Sequence, residues 1–294
     1  MLRSLSENCL GPVGAASLAP ALAAIGSLTS LDLSRNQLCG IWPDGYNGHQ
    51  QGTYTAEGIT AIADALLVNG SLTKLSLAKN KLGEEGTKFL CDALVGNNIL
   101  KELDLSGHTS FGGTGSSIGG TAGAKHVANM LLVNGGLTAL DLSSNDLNDE
   151  GVSAVCEAIQ SNKETNLALL NFKNNGISPV GANAVAAMVA VTGSLTVTNL
   201  LHNKLDAESA KMLSEVAKQK GISLCGIQRD QTTADFSHRG LKPPDAILLA
   251  SDLSQAVVTG SLIKCDLRQN SMGEEEEASI RKSVQGKAGF VLHV

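Results

Sequence analysis

Aromatic side chains are scarce in this sequence, and it has neither a long apolar run nor an excess of positive charge. Only 3% of the residues are aromatic although 43% are hydrophobic, so a sizeable core must be built from aliphatic side chains. No apolar run approaches the ~20 residues of a membrane-spanning helix, and the first residues lack the apolar stretch of a secretory signal. The formal net charge is -6, with 22 basic against 28 acidic residues. This balance argues against nucleic acid or an anionic membrane as the main partner, since both attract concentrated Lys and Arg.

Cysteine and histidine are present, but in no metal-binding or redox pattern. The 6 cysteines form no C-x-x-C pair, and the 6 histidines show no metal-ligand spacing. The sequence therefore predicts no metal and no cofactor. Several cysteines stand where other copies of the repeat described below carry an apolar residue, so we interpret the cysteines as buried thiols. Such thiols predict an intracellular, reducing compartment, with the cytoplasm favoured over an organelle.

Leucines and an asparagine recur in one frame, L-x-x-L-x-L-x-x-N-x-L. Three copies fit it closely: LTSLDLSRNQL (28–38), LTKLSLAKNKL (72–82) and LTALDLSSNDL (137–147). Four copies fit with substitutions: LKELDLSGHTS (100–110), LALLNFKNNGI (167–177), LTVTNLLHNKL (195–205) and LIKCDLRQNSM (262–272). The L-x-L core predicts a short strand whose alternate side chains point inward. The asparagine can bond backbone groups of the turn that leaves the strand.

The residues after each frame predict a helix. A glycine and then apolar residues recur at steps of four, as in Gly86, Leu90 and Leu94, which places them on one helix face. Many of these helices end at a glycine in segments such as LVNGSL, which we interpret as a left-handed helix cap. The glycines concerned are Gly26, Gly70, Gly135, Gly193 and Gly260. The same interpretation applies to Asn69-Gly70-Ser71, which also matches an N-glycosylation signal.

This frame, with 28 residues from Leu72 to Leu100 and a helix per repeat, resembles the ribonuclease-inhibitor-like class of leucine-rich repeat proteins. The resemblance implies an α/β solenoid, a horseshoe of about eight to nine repeats in one domain, 1–294. Parallel strands would form its concave face and α-helices its convex face. Members of the class bind proteins; they include ribonuclease inhibitor, the sensing regions of NOD-like receptors and Ran GTPase-activating protein.

An insert at 39–57 interrupts the second repeat. It holds the only tryptophan, Trp42, and both tyrosines, Tyr46 and Tyr54. Aromatic residues are enriched in protein interfaces, so these three are candidate partner-binding residues. The alternative is that Trp42 covers an apolar patch of the insert itself.

A second insert, at 107–122, contains Gly115-Ser116-Ser117-Ile118-Gly119, which matches the G-x-S-x-G nucleophile elbow of many hydrolases. The elbow needs a sharp turn that joins strand directly to helix, whereas Ser117 lies a dozen residues past the strand. The phosphate-binding motifs G-x-x-x-x-G-K-[ST] and G-x-G-x-x-G are both incomplete here. We therefore expect an insert without catalysis, flexible or ordered by a partner.

Three further departures concern 221–245 and the two ends. Spacing favours Ile222–Ile227 as the next strand, yet ADFSHRGL (234–241) also imitates the frame, either as an irregular excursion or as an extra strand. The segment 286–294 resembles a closing strand. At the other end the frame begins at Leu5 with almost no strand before it, so the first repeat is expected to be uncapped and open to a partner or an upstream extension.

The residue between the two inward apolar positions faces the concave surface and is often acidic. Asp32, Asp104, Asp141 and Asp266 occupy this place, and they are candidates for an acidic stripe that meets a basic partner. The alternative is that L-D-L-S is common in this class whatever the partner.

The leading hypothesis is a non-enzymatic scaffold for protein–protein interaction, a subunit or peripheral component of a larger assembly. Its expected contact surfaces are the concave face, the 39–57 insert and the first repeat. Two alternatives remain open: a regulator of a small GTPase that resembles Ran GTPase-activating protein, and the ligand-sensing repeat region of a larger receptor.

Overall fold

A computed structural model describes residues 2–43, 50–108 and 116–294 of the chain. Within it the chain divides into two compact units, Met1–Leu167 and Ala168–Val294. The single domain expected for 1–294 therefore stays a prediction.

The first unit repeats a strand followed by a helix five times among its described residues. Its strands are β1 Leu2–Ser4, β2 Ser30–Asp32, β3 Ile41–Pro43, β4 Gln50–Gly52, β5 Lys74–Ser76, β6 Glu102–Asp104 and β7 Ala139–Asp141. Its helices are α1 Gly11–Ala24, α2 Glu57–Val68, α3 Gly83–Leu94, α4 Gly120–Leu131 and α5 Asn148–Ser161. The first repeat thus has a strand, β1, as long as those of the other repeats.

The repeat strands of the first unit lie side by side in parallel, in the order β1-β2-β5-β6-β7. The pairing aligns the central leucines: Leu31 faces Leu75, and Leu75 faces Leu103. These side chains are at most 3% exposed. Each such leucine contributes about 1.5–3 kcal/mol of burial, so the repeated L-x-L places one continuous aliphatic core between strands and helices.

The asparagine of the frame connects neighbouring repeats. Asn80 is fully buried, and its Oδ1 accepts from the backbone N–H of Asn36, in the preceding repeat, at 2.8 Å. Its Nδ2 donates to the carbonyls of Leu33 and Leu77, at 2.8 and 3.0 Å. One side chain therefore satisfies buried backbone groups in two repeats, which is the role expected for it.

The residue before that asparagine adopts a left-handed conformation, which costs a non-glycine residue about 1 kcal/mol or more. The residues concerned are Glu7, Arg35, Lys79, Ser144, Asn174, His202 and Gln269, with φ from 54° to 62°. His238, with φ 54°, has the same conformation but precedes Arg239, which stands in the place of the asparagine. The hydrogen bonds of the neighbouring asparagine offset that strain in most repeats.

The predicted left-handed glycine caps are wrong, because none of the five glycines has a positive φ. At the end of α2 the cap is Asn69 in an extended conformation. Its Oδ1 accepts from the N–H of Ser71 and Leu72, at 3.0 and 2.8 Å, and its Nδ2 donates to the carbonyl of Leu22 at 2.7 Å. The segment Asn69-Gly70-Ser71 is thus a helix cap, but Asn69 forms it through its buried side-chain amide rather than Gly70 through a left-handed conformation.

The second unit has four strand-and-helix repeats and a last strand among its described residues. Its strands are β8 Leu169–Asn171, β9 Val197–Asn199, β10 Thr233–Asp235, β11 Lys264–Asp266 and β12 Val291–His293. Its helices are α6 Pro179–Val191, α7 Ala207–Lys220, α8 Pro243–Ser254, α9 Ala256–Thr259 and α10 Glu274–Ser283. β8 pairs with β9, while β10, β11 and β12 form a separate parallel sheet.

The two sheets of the second unit are separated at 222–227. This segment lies beside β9 through one isolated bridge, Val197 to Ser223. Its other side faces Asp252 of α8, a fully buried carboxylate that accepts from the N–H of Leu224 at 2.9 Å and of Cys225 at 2.9 Å. The frame-like segment 234–241 supplies β10 instead. The carboxylate of Asp252 therefore accepts the hydrogen bonds that the carbonyls of a neighbouring strand would otherwise accept.

Five of the six cysteines are buried free thiols, and burial raises the pKa of both Cys39 and Cys265 to about 12. Cys9 departs from the prediction because it is exposed. Among the described residues, no helix combines the length and the apolar character needed to cross a membrane.

Candidate functional site

The four aspartates predicted to face outward all hold the turn that follows their own strand. One carboxylate oxygen of each accepts from the backbone N–H two residues later. The pairs are Asp32 with Ser34 at 2.9 Å, Asp104 with Ser106 at 2.9 Å, Asp141 with Ser143 at 2.8 Å and Asp266 with Arg268 at 3.2 Å. This contact gives L-D-L-S a structural purpose that is independent of any partner. Whether these residues also bind a partner remains a prediction.

The outward side chains of β2, β5 and β6 and of the turns after them line one depression of the first unit, which we call the strand face. Its volume is about 320 Å³. Two carboxylates, Asp32 and Asp104, and three cations, Arg35, Lys74 and Lys79, line it. Both signs of charge are therefore present, and the predicted acidic stripe is interrupted by basic side chains at this point.

Ion pairs organise part of the strand face. Arg35 contacts Glu7 at 3.1 Å, and Lys74 contacts Glu102 at 2.6 Å between adjacent strands. Both pairs are about half exposed, so each contributes only about 0–1 kcal/mol to stability. Their charges therefore remain accessible to a partner.

Asp266 lies in the second unit and has its own basic partner. Arg268 donates from its guanidinium to both carboxylate oxygens, at 3.0 and 2.6 Å. These hydrogen bonds lower the pKa of Asp266 to about 2. The charge that Asp266 was expected to present is thus already paired.

Tyr54 is built into the start of α3. Its hydroxyl donates to the carbonyl of Leu82 at 2.7 Å and accepts from the N–H of Gly86 at 3.1 Å. Its ring lies against Gly83 and its hydroxyl lies against Gly86, and burial raises the pKa of that hydroxyl. Tyr54 therefore caps a helix that has no side-chain cap at its own N-cap residue, Leu82.

Trp42 lies in an antiparallel hairpin of β3 and β4, where its ring contacts Gly52. It leaves 38% of its surface exposed. The ring thus covers part of its own insert and still offers a surface for a partner. The remaining aromatic candidate, Tyr46, lies outside the described residues.

The serine of the G-x-S-x-G match has no access to solvent. Ser117 is fully buried, and its backbone N–H donates to Asn145 Oδ1 at 2.7 Å. Its hydroxyl oxygen is buried without a hydrogen-bond partner among the described residues. Ser116 accepts from the N–H of Gly119 and Gly120, at 3.0 and 2.7 Å, and so caps α4. An elbow must expose its nucleophile, so this geometry does not form one.

His108 takes the place of the repeat asparagine. Burial, followed by the nearby charge of Lys81, lowers the pKa of its imidazole to about 4. The ring is therefore neutral near pH 7, and it has no catalytic base or carboxylate partner among the described residues. In the part of the chain that the structure describes, no group of three or more His, Cys, Asp or Glu side chains could hold a metal ion.

The basic side chains of the strand face are absent from the predicted set. Arg35 and Lys79 occupy the same place in their repeats, directly before the asparagine. That recurrence is a signal that a comparison of the repeats could have found. Three lysines on helices of the second unit, discussed below, give no such signal because they come from helices far apart in the sequence.

Comparisons with known proteins agree with this architecture. Two family models, both described as leucine-rich repeat, match residues 68–91 with 137–156, and residues 27–48. The chain is 37% identical over 151 residues to NACHT, LRR and PYD domains-containing protein 13 of Homo sapiens, a match that covers 50% of this chain and 13% of that protein. It is 29% identical over 144 residues to ribonuclease inhibitor of Sus scrofa, which covers 49% of this chain and 30% of that protein. The chain thus spans less than a third of the length of either relative.

A solved structure, the leucine-rich repeat-containing protein LegL7 from Legionella pneumophila, shares the fold. It superposes with a TM-score of 0.53 at 17% identity, over 99% of this chain and 81% of that chain. The repeat motif, the strand-and-helix units and these similarities support a leucine-rich repeat fold that is similar to that of ribonuclease inhibitor. Leucine-rich repeat domains generally mediate protein–protein interaction.

Proposed function

We propose that the chain is a non-enzymatic scaffold that binds other proteins, as a subunit or peripheral component of a larger assembly. The strand face of the first unit carries this proposal. A parallel sheet is usually covered on both faces, whereas here the leucine side packs against helices and the other side forms a charged depression of about 320 Å³. Polar and ionic contacts of this kind suit recognition of a complementary protein surface.

A charge swap tests the strand face without breaking its own ion pair. Lys74→Glu combined with Glu102→Lys retains the contact between β5 and β6 but reverses the charges that a partner meets. We expect affinity purification with mass spectrometry to recover partners with the parent chain and to lose them with the swapped chain. Recovery of the same partners by both chains would remove the strand face from the proposal.

The aromatic insert needs a different variant, because Tyr54 supports α3. Trp42→Ala together with Tyr46→Ala removes two candidate aromatic contacts and leaves Tyr54 in place. Partners that bind through the insert should be recovered with the parent chain and lost with this variant. If the recovered set is unchanged, the insert is not a contact surface.

A second candidate function is the repeat region of a larger receptor. It is supported by the 37% identity to a NACHT, LRR and PYD domains-containing protein of which the match covers 13%. An antibody raised against this chain should then detect a polypeptide much larger than 30.3 kDa in the source cells. Detection at 30.3 kDa alone would contradict this alternative.

A further inference from the structure

Three helices of the second unit enclose a groove of about 550 Å³ on the side away from the strands, which we call the lysine groove. α8 lies between α7 and α10 and packs against both. Lys211 and Lys218 of α7 line one wall, and Lys282 of α10 lines the other. Half-buried Ile247 and Ala250 of α8 provide an apolar floor.

The helical spacing explains why these side chains meet. Lys211 and Lys218 are seven residues apart, so two turns of helix place them on the same face of α7. Ile247 and Ala250 are three residues apart on α8 and share the face between the two walls. The groove is therefore a product of three facing helix surfaces, and the ammonium groups stand on both of its sides.

The charges of the lysine groove are unbalanced. Glu215 is its only carboxylate among the lining residues, against three lysines. None of these lysines forms an ion pair with a described residue. Six other Lys and Arg side chains of the described residues do so, among them Arg268 and Lys74. In a chain of net charge -6 this groove is a local concentration of positive charge.

We propose that the lysine groove binds an acidic peptide segment of a partner protein, with carboxylates on the lysines and a small apolar side chain on Ile247 and Ala250. An apolar floor favours a peptide over a simple anion. Nucleic acid fits less well because no aromatic side chain lines the groove for base stacking. An extended polyanion would also meet the net negative charge of the chain, whereas a short segment interacts within about one Debye length, roughly 8 Å.

The experiment uses the full chain and a fluorescein-labelled peptide in which glutamate alternates with alanine. Fluorescence anisotropy should show saturable binding that weakens as salt is added, since exposed charges are screened. Replacing Lys211, Lys218 and Lys282 by Gln should weaken binding roughly tenfold or more, and Glu215→Gln should strengthen it. A peptide that alternates lysine with alanine should not bind.

A matched triple variant controls for net charge. Lys204→Gln, Lys220→Gln and Lys264→Gln remove three exposed lysines of the same unit that do not line the groove. This variant should bind the acidic peptide like the parent chain. Equal weakening by both triple variants, absence of saturable binding, or tighter binding of a single-stranded oligonucleotide would each overturn the proposal. The strand face lies in the first unit, so the charge-swap experiment succeeds or fails independently.

Discussion

Replacing Asn145 by Ala should cost the first unit much of its stability, because this side chain satisfies buried backbone groups of two repeats. Its Oδ1 accepts from the N–H of Ser117 at 2.7 Å and of Ile118 at 3.2 Å. Its Nδ2 donates to the carbonyls of Leu105 and Leu142, at 2.9 and 3.1 Å. Each buried group left unpaired costs about 1–3 kcal/mol. Since a carbonyl tolerates the loss better than an amide, we expect a total of about 3–5 kcal/mol.

The measurement is thermal unfolding followed by circular dichroism, with hydrogen exchange of the segment 116–120. A loss of this size corresponds to a melting temperature lower by roughly 6–20 °C, and the amides of Ser117 and Ile118 should lose protection. Asn129→Ala is the control, because Asn129 is exposed on α4 in the same unit. If Asn145→Ala melts no earlier than Asn129→Ala, or if both amides stay protected, the role assigned to the repeat asparagine is refuted.

Three further substitutions test other parts of the structure. Tyr54→Phe keeps the ring but loses the hydroxyl contacts to Leu82 and Gly86, so urea denaturation should show a loss of about 1–2 kcal/mol; an unchanged midpoint would contradict the capping role. Burial raises the pKa of Asp252 from 3.8 to about 6, so the folded state favours the protonated acid. The stability that the folded state gains from this protonation is fully present below pH 3.8 and is lost as the pH rises through 6. That loss amounts to roughly 3 kcal/mol, and the difference between parent and Asp252→Asn melting curves from pH 4 to pH 8 should reveal it; parallel curves would contradict it. Ser117→Ala removes a buried hydroxyl without a described partner, so differential scanning fluorimetry should find stability unchanged or slightly increased, and a clear loss would reveal a missing partner.

Most repeat strands could be predicted from the sequence because one short pattern places them. The exception is 222–227, which spacing favoured as a strand although 234–241 supplies β10. Leucine at alternate positions defines the inward face, and the asparagine has one place where it can satisfy two repeats at once. Both signals are local, and they recur, so each copy supports the others. That is why the positions of Leu31, Leu75 and Leu103 followed directly from the pattern.

The parts that could not be predicted depend on contacts between distant residues. Gly70 suggested a helix cap because of its residue type. Asn69 forms the cap instead, and its side chain also donates a hydrogen bond to a carbonyl of the preceding helix. Tyr54 belongs to an insert in the sequence, yet its hydroxyl serves the next helix. The lysine groove is similar, since Lys211 and Lys282 are brought together only by the packing of α8 between their helices. Composition and spacing carry no information about contacts between residues that are distant in the sequence.

The carboxylate of Asp252 has a consequence for how the second unit melts. In an array of repeats, cooperativity is limited by the weakest junction between neighbours. The junction between the segment 222–227 and β10 has no strand pairing. It relies on helix packing and on the carboxyl group of Asp252, whose pKa of about 6 lies within the physiological pH range. Acidity can therefore decide whether the β8–β9 side and the β10–β12 side come apart in one transition or in two.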